Sequence, residues 1–102
     1  MLLNDAYTLY ISIVSTWEIA IKVSIGKLLG LKGGVRTFLA KLDEMPVELL
    51  PVMPSHVEMV EALPFIHRDP FDRLLVATAK VEGMTILTAD ENIHKYDVSF
   101  AW

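Results

Sequence analysis

Strand-like and helix-like segments alternate along this chain, and that order admits few folds. Residues 8–14 (TLYISIV) are β-branched and aromatic, the pattern of a strand buried on at least one face. They run directly into Ser15-Thr16-Trp17-Glu18, which has the S-x-x-E form of a capping box. Trp17, Ile21, Ile25 and Leu28 then recur at helical spacing, with Gly26 as a stop. Residues 30–34 (GLKGG) read as a loop, and Val35, Phe38, Leu39 and Leu42 mark one apolar helical face closed by Pro46. A short strand follows at 47–53 (VELLPVM). A second S-x-x-E, Ser55 to Glu58, opens a short helix with Val57, Val60 and Leu63 on its apolar side. Asp69-Pro70 is an N-cap acid followed by proline at the first helical position, and the helix over 71–82 stops at Gly83. Residues 84–88 (MTILT) form an apolar strand without alternation, as when both faces are covered. Residues 90–96 make a turn or a single helical turn, and 98–102 (VSFAW) a short edge strand. Strands separated by helices imply βαβ units and an α/β fold with a mostly parallel sheet. No repeat or linker divides the 102 residues, so 1–102 is expected to be a single domain.

Composition narrows the function. Hydrophobic residues are 53% of the chain and charged residues 22%, which excludes a disordered tail. The mean hydropathy of +0.43 is high for a monomer of this size and points to apolar surface facing a partner. Nine Lys and Arg against thirteen Asp and Glu leave a net charge of −4, so bulk charge cannot bind nucleic acid. Metal ions or individually placed Arg and Lys residues must bridge any phosphates. The chain has no cysteine, which excludes a disulfide scaffold, a thiolate nucleophile and Cys-ligated zinc. That fits a reducing cytoplasm. No apolar run of about 18 residues predicts a membrane span, and no export signal is visible.

Three acids stand out by position. Glu18 falls in the first turn of a helix that leaves a strand, Asp72 in the first turn of another helix, and Asp90 directly after the 84–88 strand. In an open parallel sheet, strand carboxyl ends and helix N-termini share the rim where ligands bind. Clustered carboxylates repel, and Mg²⁺ or Mn²⁺, with their preference for oxygen ligands, would relieve that repulsion. Such a site suits phosphodiester hydrolysis. Each acid also has an ordinary role: Glu18 closes the capping box with Ser15, Asp72 complements the helix dipole, and Asp90 starts a turn. Asp69 reads as a plain N-cap. Arg68, Arg73 and Lys22 are the candidates for phosphate contact, with ion-paired surface as the alternative. His67 lies in the loop above the rim, where it either touches substrate or shapes the loop. His56 and His94 read as surface residues.

Three stretches, STWEIAIKVSIGKL (15–28), LPFIHRDPFDRLLVATA (63–79) and TILTADENIHKYDV (85–98), resemble the PIN-domain toxins of the VapC type. The resemblance extends from residue 8 to residue 102. It implies a three-layer α/β/α sandwich and a metal-dependent endoribonuclease that acts on structured RNA and is neutralised by a cognate antitoxin. By the same resemblance the acids carry over as Glu18, Asp72 and Asp90, with Thr88 as the hydroxyl beside the last. The departure lies at the start. The family opens with a central apolar strand ending in an acid, whereas residues 1–5 align with the segment just before the second strand, so Asp5 is not that acid. Loss of that strand would remove a principal ligand and leave main-chain groups unpaired in mid-sheet. Two repairs are open: the 8–14 strand pairs directly with 84–88, or a homodimer supplies the pairing. The homodimer is expected, together with weak or absent RNA cleavage. The competing reading is a non-catalytic, PIN-derived interaction protein that binds an antitoxin or itself.

Overall fold

A computed structural model describes residues 1–27 and 32–101. The described elements run β1 (Leu2–Leu3), β2 (Leu9–Ser12), α1 (Ile13–Ser24), α2 (Gly34–Leu42), β3 (Val47–Leu50), α3 (Pro54–Ala62), α4 (Pro70–Glu82), β4 (Thr85–Leu87), α5 (Glu91–His94) and β5 (Phe100–Ala101). The α/β class expected from the alternation is therefore present. Of the residues given roles above, Leu28, the first two of the 30–34 loop and Trp102 lie outside the described residues.

The five strands form one sheet in the order β3-β2-β1-β4-β5. Its outer pairs, β2 with β3 and β4 with β5, are parallel, as βαβ units require. Its centre is not. β1 runs antiparallel to both neighbours, with Leu2 opposite Tyr10 on one side and Ile86 on the other. The sheet is thus mixed rather than mostly parallel. The place expected to be empty is filled from within the chain by two residues that carry no strand pattern of their own. Across the second boundary the Leu87 N–H donates to the Met1 carbonyl at 2.8 Å. The 8–14 strand does not pair directly with 84–88, and the unpaired mid-sheet groups that argued for a homodimer do not arise among the described residues. Leu2 is fully buried in the core with Val76, Ala77, Ile86, Ile93 and Tyr96. The turn back to β2 is held by Asn4, whose Oδ1 accepts from the Thr8 N–H at 2.8 Å and whose carbonyl accepts from the Tyr7 N–H at 3.0 Å. Closing it places Tyr7 at φ +62°, in the left-handed region that L side chains disfavour.

α1 begins earlier than the S-x-x-E pattern indicates. Ser12 is its N-cap, with Oγ accepting from the Val14 N–H at 3.1 Å, so Ser15 and Glu18 lie within the helix and form no capping box. The shift also changes the buried face: Val14 and Thr16 face the core, while Trp17 and Ile25 are exposed. α3 likewise starts at Pro54 rather than through Ser55. His56, expected at the surface, is fully buried; its Nδ1 accepts from the Met53 N–H at 3.0 Å and its Nε2 meets Glu82 Oε1 at 2.8 Å. α4 follows its sequence signals at both ends. Asp69 Oδ1 accepts from the Phe71 and Asp72 N–H groups, Pro70 opens the helix, and Gly83 ends it at φ +67°. α4 packs against α1, α3 and β4, and so fixes where its first turn lies.

Candidate active site

The first turn of α4 carries Asp72, and the β4–α5 turn carries Thr88 and Asp90. Asp90 caps α5 by accepting from the Asn92 N–H at 2.8 Å, while its own N–H donates to Thr88 Oγ1 at 3.1 Å. His94 closes the same turn, its Nε2 donating to the Thr88 carbonyl at 2.8 Å and its ring stacked on Phe100 at 3.9 Å. His94 is therefore a structural brace of that turn. Asp72 is half-buried, and burial pushes its carboxyl above the ordinary carboxylate value. A hydrogen bond from His67 pulls in the opposite direction, and the negative charges of Asp69 and Asp90 push upward again. Asp72 and Asp90 thus stand within electrostatic reach of each other.

Glu18 is placed differently. It lies in the second turn of α1, and its Oε2 is 3.7 Å from Lys22 Nζ, one turn further along. Its neighbour Trp17 packs edge-on against Phe71 at 4.9 Å, which sets α1 beside the start of α4. Ser15 is half-buried one turn before Glu18. Among the described residues, no group of three or more His, Asp or Glu side chains is close enough to hold an ion.

The cations divide. Arg68 is exposed beside the N-terminus of α4. Arg73, a candidate for phosphate contact, is only 8% exposed and turned into the protein. Its Nη1 donates to the Pro64 carbonyl at 3.0 Å and to the Tyr96 hydroxyl at 3.2 Å, and its Nη2 to the Val60 carbonyl at 3.3 Å. The Phe65 ring lies 4.9 Å from the guanidinium. Helix spacing accounts for this: Arg73 shares the inward face of α4 with buried Val76 and Ala77, three and four residues on. His67 connects the two sides of the site, with Nδ1 2.8 Å from the Tyr96 hydroxyl and Nε2 3.3 Å from Asp72 Oδ2. Tyr96 is a site residue that the sequence reading missed, because a tyrosine at the end of a turn carries no motif.

The profile of the PIN domain family matches residues 1–99. The chain belongs to the PIN domain family. No curated protein and no solved structure gives a significant match. PIN domains are nuclease-like, generally use divalent metal ions, and suggest RNA as the ligand. No helix among the described residues of this PIN domain is long and apolar enough to cross a membrane. The donors it offers fit a small hard cation in part. Mg²⁺ keeps several waters and is commonly held by one or two carboxylates; the charge of Asp90 helps raise the Asp72 carboxyl, a repulsion that a cation would relieve.

Proposed function

We propose that this PIN domain is a metal-dependent endoribonuclease of the VapC toxin type, acting weakly on structured RNA in the cytoplasm. The observation that carries the reading is the match of the PIN domain family to residues 1–99, with Asp72 in the first turn of α4 and Asp90 at the N-cap of α5. In this reading Asp72 and Asp90 are the principal ligands of Mg²⁺ or Mn²⁺, and Glu18, paired with Lys22, is the third acid. A bound ion supplies Lewis-acid activation of water and neutralises charge on the phosphate. Thr88 holds the Asp90 backbone in place, and Ser15 supports the α1 turn that presents Glu18. Exposed Arg68 binds the RNA backbone and His67 orders the loop beneath it, while buried Arg73 anchors that loop. Trp17, 57% exposed, and Phe65, 73% exposed, offer apolar surface to a cognate antitoxin or a second copy of the chain.

The test is cleavage of a structured RNA by the purified chain with Mg²⁺ or Mn²⁺. Slow, chelator-sensitive cleavage that falls to background in Asp72→Asn and in Asp90→Asn is the expected result. Cleavage indifferent to chelator, or unchanged in Asp90→Asn, would overturn the reading. The alternative is a non-catalytic interaction protein, with exposed Trp17 and Phe65 as its docking surface. It predicts no cleavage under any metal condition and binding that is lost in Trp17→Ala.

A further inference from the structure

Four side chains from three parts of the fold form a single hydrogen-bonded line that ends on Asp72. Arg73 Nη1 meets the Tyr96 hydroxyl at 3.2 Å, Tyr96 meets His67 Nδ1 at 2.8 Å, and His67 Nε2 meets Asp72 Oδ2 at 3.3 Å. With Asp72 ionised and His67 neutral, the direction of every bond follows from the donor and acceptor inventory. A guanidinium only donates, so the Tyr96 oxygen accepts from Arg73. An ionised carboxylate only accepts, so His67 carries its proton on Nε2 toward Asp72. A neutral imidazole protonated on Nε2 has Nδ1 as its acceptor, and Tyr96 donates its one proton there. Tyr96 is 3% exposed, so water does not compete for its hydroxyl, and the positive charge of Arg73 strengthens the O–H as a donor. Two main-chain carbonyls, of Val60 and Pro64, fix the far end of the line.

We propose that Arg73 and Tyr96 are positioning residues for Asp72: they hold His67 in its Nε2–H tautomer, which grips Oδ2 and leaves Oδ1 as the oxygen available to a divalent cation. The inference rests on the metal-dependent reading above. It explains why an arginine stands buried one residue after the acid, where any long apolar side chain would fill the volume. It also gives the segment after β4 two tasks, since Asp90 caps α5 and Tyr96, just beyond α5, steadies Asp72. Carboxylates and imidazoles around an ion are commonly oriented by such outer partners, whose loss weakens metal affinity about 10- to 100-fold.

Long-range ¹H–¹⁵N correlation on the labelled chain without metal reads the tautomer, and Mn²⁺ titration followed by water-proton relaxation reads the affinity. Wild type is expected to show His67 protonated on Nε2 alone. Tyr96→Phe, which keeps the ring and the packing, is expected to give a mixture of tautomers and Mn²⁺ binding about 10-fold weaker, with the remaining amide spectrum unchanged. His67→Gln, whose amide N–H reaches the place of Nε2–H, is expected to keep most of the affinity, and His67→Asn to lose it. A metal-free spectrum with His67 protonated on Nδ1 would overturn the proposal. So would a Tyr96→Phe variant with wild-type tautomer and wild-type Mn²⁺ affinity. Wild type that binds no Mn²⁺ would bring down the metal reading and the positioning role with it; the metal-free tautomer separates that failure from a failure of the hydrogen-bonded line itself.

Discussion

α4 and β1 both reach the core, and they are held there in opposite ways. α4 closes itself: Asp69 accepts from two N–H groups at its start, Pro70 sets the first turn, and left-handed Gly83 ends it. β1 has two residues, and only one of its edges is closed locally, by the Asn4 turn to β2. Its other main-chain partners belong to β4, across most of the chain. The helix is therefore specified by neighbours in sequence, whereas the strand is complete only once both halves of the sheet are in place. A break in β1 should be felt by the whole molecule, and a break at the α4 cap only where the helix begins.

The most damaging expected change is Leu2→Ala. Leu2 is fully buried between β2 and β4 and packs in the core cluster with Val76 and Ile86. Large-to-small substitutions of buried leucine cost about 2–5 kcal/mol, against a net stability of about 5–15 kcal/mol for a domain of this kind. Urea unfolding followed by circular dichroism should show that loss, with a broadened transition as β2–β3 and β4–β5 uncouple. A loss below about 0.5 kcal/mol, which is the scale of a surface substitution, would mean that β1 does not join the two halves.

The same contrast accounts for what the sequence disclosed. α4, α5 and the strands β2, β3, β4 and β5 were legible because caps, stop glycines and apolar runs are local signals. β1 was not, since Leu2-Leu3 is too short for periodicity and its role is set by a gap elsewhere in the sheet. Ser12 took the cap expected of Ser15: both are serines at a strand-to-helix junction, and β2 ends at Ser12, opposite Leu50. In the candidate site, the placement of Asp72 in a helix's first turn and of Asp90 directly after β4 was foreseeable from local signals. The burial of Arg73 was not, because its partners are main-chain carbonyls and a tyrosine hydroxyl that only the folded chain brings together.

Removing the α4 cap should sharpen the comparison from the other side. Asp69→Ala deletes the acceptor of the Phe71 and Asp72 N–H groups, a loss of about 1 kcal/mol. Asp69→Asn, which keeps an acceptor oxygen, should cost less. Hydrogen exchange should localise the change to the first turn of α4 and leave β1 protection intact. Equal loss of protection in β1 would show that the helix start and the central strand open as one unit, contrary to the local origin argued for α4.

The smallest expected effect has the opposite sign and links stability to the site. Burial raises the Asp72 carboxyl above its ordinary 3.8, and the charges of Asp69 and Asp90 add to the rise, against the His67 hydrogen bond. In the window between 3.8 and the raised value, the folded chain keeps a proton that the unfolded chain has released, so stability falls as pH rises through it. Above the window the ionised Asp72 remains a fixed cost. Asp72→Asn removes that cost and still offers His67 an acceptor oxygen. The variant should therefore melt at a higher temperature than wild type at pH 7, and the gap should close as the pH is lowered through the window toward 3.8. Adding Mg²⁺ at pH 7 should raise the melting temperature of wild type, because an ion that binds only the folded state stabilises it, and should leave Asp72→Asn nearly unmoved. A variant less stable than wild type at every pH would show that the Asp72–His67 hydrogen bond outweighs the desolvation of the carboxylate, and that this rim of the fold gives up no stability for its chemistry.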